Sequence, residues 1–419
     1  MSEKIFPLSK EQLTKIVQSY PTPFHIYDEK AIRQNIRNLR SAFSWAPEFR
    51  EHYAVKAAPN PRLLQIMHEE GAGTDCSSLA ELYLSEAAGI TGEEIMLTSN
   101  DTPASEFQKA IGLGAIINLD DITHIEYLEK NAGLPKCLSF RYNPGNLIEG
   151  NDIIGKPTEA KYGLTREQIF SAYKMAQEKG IRRFGLHTMV ISNELRAEGL
   201  IYTAKLMFEL AVEIKERLGI VVEFVNLGGG IGVPYRPEES PVNLTEVGNG
   251  IHKLYDELLV KNNMGNVAIA MESGRAMTGP AGWLVSTVLH EKHTYKDYIG
   301  LDSCMSNLMR PALYGAYHHI TIAGKENEPC DHLYDVTGSL CENNDKFAID
   351  RKLPKVDIGD FLILHDAGAH GHSMGFNYNG KLRSAELLLK EDGSIELIRR
   401  AETLDDYFAT LHYPGSVMK

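Results

Sequence analysis

Three stretches of this chain carry residue types that could do chemistry together. In His52-Tyr53-Ala54-Val55-Lys56-Ala57-Ala58-Pro59-Asn60 a lysine stands among small and apolar residues. Partial desolvation there lowers an amine from its free pKa near ~10.4 and makes it a nucleophile toward an aldehyde. Taken alone, Lys56 reads as a surface lysine at a strand end, and only the other two stretches reverse that reading. In Asn226-Leu227-Gly228-Gly229-Gly230-Ile231-Gly232 a glycine run follows an apolar strand. Such a run lets backbone N–H groups approach a phosphate, although a tight turn would also use it. In Met271-Glu272-Ser273-Gly274-Arg275 a carboxylate could hold a proton on a ring nitrogen, while Gly274 and Arg275 face phosphate or a substrate carboxylate. The plain alternative is a structural Glu–Arg ion pair.

The elements that must position these residues follow from pattern. Tyr53 to Val55 ends a short buried strand, and Asn60 caps a helix that starts at Pro61 and ends at Gly71. Further strands are expected at 73–76, 95–98, 116–119, 138–142, 183–190, 222–227 and 267–271. Helices 79–88, 106–113, 166–179 and 200–218 lie between them. Strand and helix in strict turn mean a parallel sheet, and this many units predict a closed (β/α)8 barrel of TIM type, an α/β fold. Lys56, the glycine run and Glu272 all fall at carboxyl ends of strands, the edge where such barrels do chemistry. Before the barrel come a helix capped by Ser9, a strand at 22–28 and an amphipathic helix at 31–43. After Pro280 short β-rich runs separated by turns predict an antiparallel C-terminal β domain, a barrel or sandwich. The expected division is 1–28 joining the β domain, 29–280 as the barrel and 281–419 as the β domain.

Composition narrows the function classes. A length of 419 residues suits a barrel plus a second module. A net charge of −13 argues against nucleic acid or an anionic membrane as main partner. No apolar run approaches a membrane span, and no secretory signal is visible. The five cysteines form no C-x-x-C pair, which fits a reducing cytoplasm. His318, His319, His365, His370 and His372 fit no zinc spacing, so no metal is expected. Asp75 and Arg141 fall at strand ends on the same edge, where cofactor support and structural roles are equally open.

A nucleophilic lysine, a phosphate loop and a ring-nitrogen acid, in that order, are what a pyridoxal 5'-phosphate site on a barrel needs. The chain resembles the fold-type III pyridoxal-phosphate decarboxylases, and within them the diaminopimelate decarboxylases, from Thr22-Pro23 to Arg399-Arg400-Ala401-Glu402. The resemblance implies that Lys56 is joined to the cofactor aldehyde. It implies that Gly229, Gly230, Glu272, Gly274 and Arg275 contact the cofactor, with Arg275 also reaching substrate. In Asp302-Ser303-Cys304-Met305-Ser306-Asn307-Leu308-Met309-Arg310-Pro311-Ala312-Leu313-Tyr314 the counterparts of the family's distal-carboxylate binders are Arg310 and Tyr314. In Gly338-Ser339-Leu340-Cys341-Glu342, a loop the family lends to the neighbouring subunit, Cys341 would donate a proton and Glu342 would bind the distal ammonium. Tyr378 would touch cofactor phosphate and substrate.

The family pattern is broken at one place. Where members carry Gly-Leu-His-x-His-Ile-Gly-Ser, this chain reads Gly185-Leu186-His187-Thr188-Met189-Val190-Ile191-Ser192. Met189 takes the ring-stacking position and Ile191 replaces the glycine before Ser192, whose place in the pattern implies a cofactor contact; a thioether can lie against an aromatic ring. The implied activity is decarboxylation of meso-2,6-diaminopimelate to L-lysine by a cytoplasmic homodimer with sites shared across the interface. A remote amino-acid head needs an arginine fork and an acid, and Arg310 and Glu342 supply one of each. Rival readings are a decarboxylase for ornithine, arginine, lysine or carboxynorspermidine, an alanine-racemase-type enzyme, and a catalytically silent homologue with a binding role.

Overall fold

After a first strand, β1 (Phe24–Asp28), eight short segments pair in parallel and close on themselves. They are β2 (Phe49–Ala54), β3 (Gly73–Cys76), β4 (Ile95–Thr98), β5 (Ile116–Leu119), β6 (Cys137–Arg141), β7 (Arg183–His187), β8 (Phe224–Asn226) and β9 (Ala268–Met271). Strands such as β5 (IINL) and β9 (AIAM) are buried along their whole length, because helices cover one face and the barrel interior the other. The last pairing, Phe49 with Ile269 and Glu51 with Met271, shuts the barrel. Met96, Ile116, Cys137, Phe224, Ala268 and Ala270 form one of its apolar clusters. At the carboxyl ends of β7 and β8 the buried residues become polar, namely His187 and Asn226.

The helices begin where the sequence provides caps. Asn60 accepts from the Arg62 N–H ahead of the helix Pro61–Glu69, with proline in its first turn. Ser78 and Thr165 cap Leu79–Ala87 and Arg166–Glu178. The structure describes residues 2–147 and 156–412 as a computed structural model. Two units separate: Lys30–Pro234 with Glu238–Thr278 and Met1–Ser2, and Glu3–Glu29 with Tyr235–Pro237 and Gly279–Lys419. Of the expected β domain, residues 413–419 lie outside the described residues.

The second unit is a sheet built from β1, β10 (Gly282–His293), β11 (Asp297–Leu301), β12 (Ile320–Ile322), β13 (His332–Thr337), β14 (Lys346–Leu353), β15 (Phe361–Leu364), β16 (Ala385–Leu389) and β17 (Ile395–Arg399). Most neighbours in it are antiparallel, as expected, but the sheet is mixed. β1 runs parallel to β16, and β11 parallel to β13. Antiparallel neighbours are what short hairpins impose; β1 reaches its place from the far end of the chain, so no hairpin fixes its direction relative to β16. Strand β14 was not legible in the sequence. It is an edge strand whose Asp350, at φ 48°, interrupts the alternation of inward and outward residues. Leu284, Val288, Ile299, Val336, Phe347 and Leu362 belong to one core of this unit, and Leu13, Phe24, Ile26, Trp283 and Leu387 to another. No helix among the described residues is long and apolar enough to cross a membrane.

Candidate active site

The carboxyl ends of the barrel strands carry most of the candidate residues. β2 runs out at Ala54, and Lys56 lies in the single turn Val55–Ala57 that follows. Val55, Ala57 and Ala58 are buried, but Lys56 is exposed. The lysine thus stands exposed between buried neighbours, in the turn directly after the strand. Asp75, at the end of β3, feels that charge. Burial pushes its carboxyl well above the usual range and Glu272 adds to the rise, while Lys56 opposes both.

Glu272 follows β9 and is buried. Its Oε2 lies 2.9 Å from Nε2 of His187, and its Oε1 accepts from Nδ2 of Asn226 at 2.8 Å. Burial alone would raise this carboxyl. The charge and hydrogen bond of His187, then Arg141 and His52, hold it below the ordinary carboxylate range. His187 and Asn226 are register partners on β7 and β8, so the barrel itself sets both hydrogen bonds. Oδ1 of Asn226 accepts from the Gly228 N–H at 2.8 Å, which ties the acid to the glycine loop.

The glycine loop is squeezed between its neighbours. A Cβ at Gly228 would lie 2.3 Å from the Thr188 carbonyl, at Gly229 2.5 Å from that of Glu272, and at Gly230 2.7 Å from that of Ile191. Gly228 and Gly230 also have φ of 72° and 98°. Close passage therefore requires the glycines, and it leaves their amides uncovered by side chains of their own. The sulfur of Met189 accepts from the Gly229 N–H at 3.2 Å. Gly274 brings the acid's loop onto the lysine's strand end, for a Cβ there would meet Cβ of Ala57 at 2.9 Å. The preceding amide, Ser273 N–H, donates to Oε1 of Glu51 at 2.6 Å. Burial pushes the Glu51 carboxyl up to about 8. Arg275 opens the short helix Arg275–Thr278, and Ser192 lies in the loop after β7; both are half-buried.

Residues 29–279 match the family model described as pyridoxal-dependent decarboxylase, pyridoxal binding domain. The chain belongs to the pyridoxal-dependent decarboxylase family. A diaminopimelate decarboxylase from Methanothermobacter thermautotrophicus is 33% identical to this decarboxylase, over 97% of this chain and 95% of its own. Protein TabA from Pseudomonas amygdali pv. tabaci is 42% identical, over 98% and 95%. The crystal structure of diaminopimelate decarboxylase from M. jannaschii in co-complex with L-lysine superposes with a TM-score of 0.88 at 30% identity, covering 96% of this chain and 95% of that one.

Pyridoxal 5'-phosphate is the cofactor of the decarboxylase, and the residues present fit it. An exposed lysine meets the needs of an aldehyde. A glycine run at a strand end, with no Cβ to bar close approach of the backbone, meets those of a phosphate. A carboxyl held ionised in a buried setting meets those of a protonated ring nitrogen.

The remaining expected residues lie in the second unit. Arg310 is buried at 4% exposure, not a surface charge. Its Nη1 donates to Nε2 of His318 at 2.8 Å, and its guanidinium lies 4.6 Å from the ring centre of Tyr235. Nδ1 of His318 donates to the His365 carbonyl, which leaves Nε2 as the acceptor. Tyr314 ends the helix Arg310–Tyr314 and is 51% exposed; Tyr378 is 50% exposed. Cys341 is exposed, with its N–H donating to Oδ1 of Asn379 at 2.8 Å, so the cysteine loop is tied to the Tyr378 segment. Glu342 is half-buried. His365 pairs with Trp283 and Thr321, and no group of three metal-ligating side chains is assembled among the described residues.

Sequence reasoning missed Asn226, Glu51, Tyr235 and His318. Asn226 stands next to the glycine run and Glu51 is an acid inside a buried strand, so both left a trace. His318 drew notice only as one of several histidines weighed for a metal, and Tyr235 shows nothing until the chain is folded.

Proposed function

We propose that this decarboxylase converts meso-2,6-diaminopimelate to L-lysine and CO2, the last step of lysine biosynthesis, in the cytoplasm. The observation that carries the reading is Arg310, a guanidinium buried against Tyr235 and oriented by His318. A buried arginine with a fixed fork suits a carboxylate remote from the reacting carbon.

Bound pyridoxal phosphate supplies the electron sink for loss of CO2. In the proposed roles Lys56 would hold the cofactor through its aldehyde. Gly229, Gly230, Gly274, Arg275, Ser192, Tyr378 and Met189 would hold the cofactor. Glu272 keeps a proton on the ring nitrogen. Arg310 and Tyr314, with Arg275, receive carboxylate, and Glu342 the distal ammonium, while Tyr378 also meets substrate. Sγ of Cys341 delivers the proton that replaces CO2. We assign residues 29–280 to cofactor binding and 1–28 with 281–419 to the β domain. The active unit is a homodimer in which each chain lends Cys341 and Glu342 to its partner.

A second reading, a related amino-acid substrate, is favoured by the 42% identity to a relative of a different name. CO2 release from meso-diaminopimelate, ornithine, arginine and lysine, with and without added pyridoxal phosphate, decides between them. Release from diaminopimelate that depends on the cofactor is expected. Release from another amino acid alone overturns the first reading.

A further inference from the structure

Asp345 takes no part in the roles above, yet the segments that do are hung on it. Its side chain is buried, at 3% exposure. Oδ2 accepts from the Leu340 N–H at 2.8 Å, just before Cys341 and Glu342. Oδ1 accepts from the Met305 N–H at 2.6 Å, in the segment that leads to Arg310. The backbone closes the same ring: Asp345 N–H donates to the Glu342 carbonyl at 3.1 Å, and Gly338 N–H to the Asp345 carbonyl at 2.9 Å. A Cβ at Gly338 would lie 2.3 Å from Oδ2, so only glycine admits the carboxylate. A second tie, Ser339 N–H to the Ser303 carbonyl at 3.1 Å, runs between the same two segments. Burial lifts the Asp345 carboxyl, and the Leu340 and Met305 amides pull it back. A carboxylate that accepts two amides in a dry setting is rigid and costly to disturb.

We propose that Asp345 is a positioning residue for substrate selection, holding the Cys341–Glu342 loop and the segment leading to Arg310 in register with each other. This rests on the reading of Arg310 as binder of the distal carboxylate. In the shared-site dimer, one side chain would then tie what a chain keeps for its own site to what it lends.

The test uses holoenzyme variants Asp345→Asn, Gly338→Ala and, as reference, Arg310→Ala. Inhibition by L-lysine, which keeps the distal amino-acid head, is compared with inhibition by 1,5-diaminopentane, which lacks its carboxylate. The ratio of the two inhibition constants reads the distal carboxylate alone. Asp345→Asn should narrow that ratio by about tenfold and lower kcat, with bound-cofactor absorbance retained. Gly338→Ala should act in the same direction and covers the case in which Asp345→Asn fails to fold. Arg310→Ala narrowing the ratio while both clamp variants weaken the two inhibitors equally, or neither, overturns the proposal and leaves the Arg310 reading standing. If Arg310→Ala also leaves the ratio unchanged, the distal-carboxylate reading fails and the role of Asp345 falls with it.

Discussion

Nε2 of His187 and Oε2 of Glu272 lie 2.9 Å apart, both side chains buried at the carboxyl ends of β7 and β9. Burial would lift the Glu272 carboxyl, and His187 is the leading influence that brings it down. His187→Leu should therefore raise the pH at which Glu272 takes a proton. A protonated Glu272 cannot keep the ring nitrogen charged, so activity falls as pH falls through that point. The acid limb of the kcat profile should move to higher pH, with kcat at neutral pH down by about 10- to 100-fold. An acid limb that stays where it is would show that His187 only packs.

Glu51 gives a stability signature separate from catalysis. Its carboxyl is pushed from 4.5 up to about 8 by burial, and its Oε2 is buried without a hydrogen-bond partner among the described residues. Between those values the folded chain keeps a proton that the unfolded chain has lost. Stability should then fall as pH rises through this window, by up to ~1.4 kcal/mol per pH unit from this one group. Glu51→Gln keeps the acceptor for Ser273 N–H and cannot ionise. Its melting temperature should match the parent near pH 5 and exceed it at pH 8. Parallel Tm curves for the two proteins would refute the assignment.

Much of this was legible because local and global signals agree. The barrel strands are short apolar runs cut by glycine, proline and cap residues, and Asn60-Pro61 announces its helix directly. Lys56, Glu272 and the glycine loop share a position at strand ends, which pattern alone reveals. Other features depend on distance through space. Asn226 reads as the end of a strand until Glu272 is brought beside it. Arg310 reads as a charge before a proline until Tyr235, far away in sequence, lies on its guanidinium. The parallel placing of β1 against β16 was hidden because no turn chemistry connects them.

Met189 is the departure from the family pattern that the fold explains in part. Its sulfur caps the Gly229 N–H at 3.2 Å, so it stands at the edge of the glycine loop. Met189→Ala should weaken cofactor retention by up to about tenfold, the scale of a sulfur–aromatic contact. Met189→His should keep the cofactor bound and shift its absorbance maximum, since an imidazole polarises the ring face differently. Equilibrium dialysis and absorbance spectra measure both; unchanged retention in Met189→Ala would exclude contact with the cofactor.

The sharing of sites between chains can be tested by complementation. Lys56→Ala and Cys341→Ala homodimers should each be nearly inactive, the first for want of the amine and the second for want of the proton donor. A mixed dimer would place both lesions in one site and leave the other intact. Equal mixing after dissociation should then restore about a quarter of parent activity, because half the dimers are mixed and each has one whole site. A mixture no more active than its components, with exchange verified by native mass spectrometry, would mean that each chain uses its own cysteine.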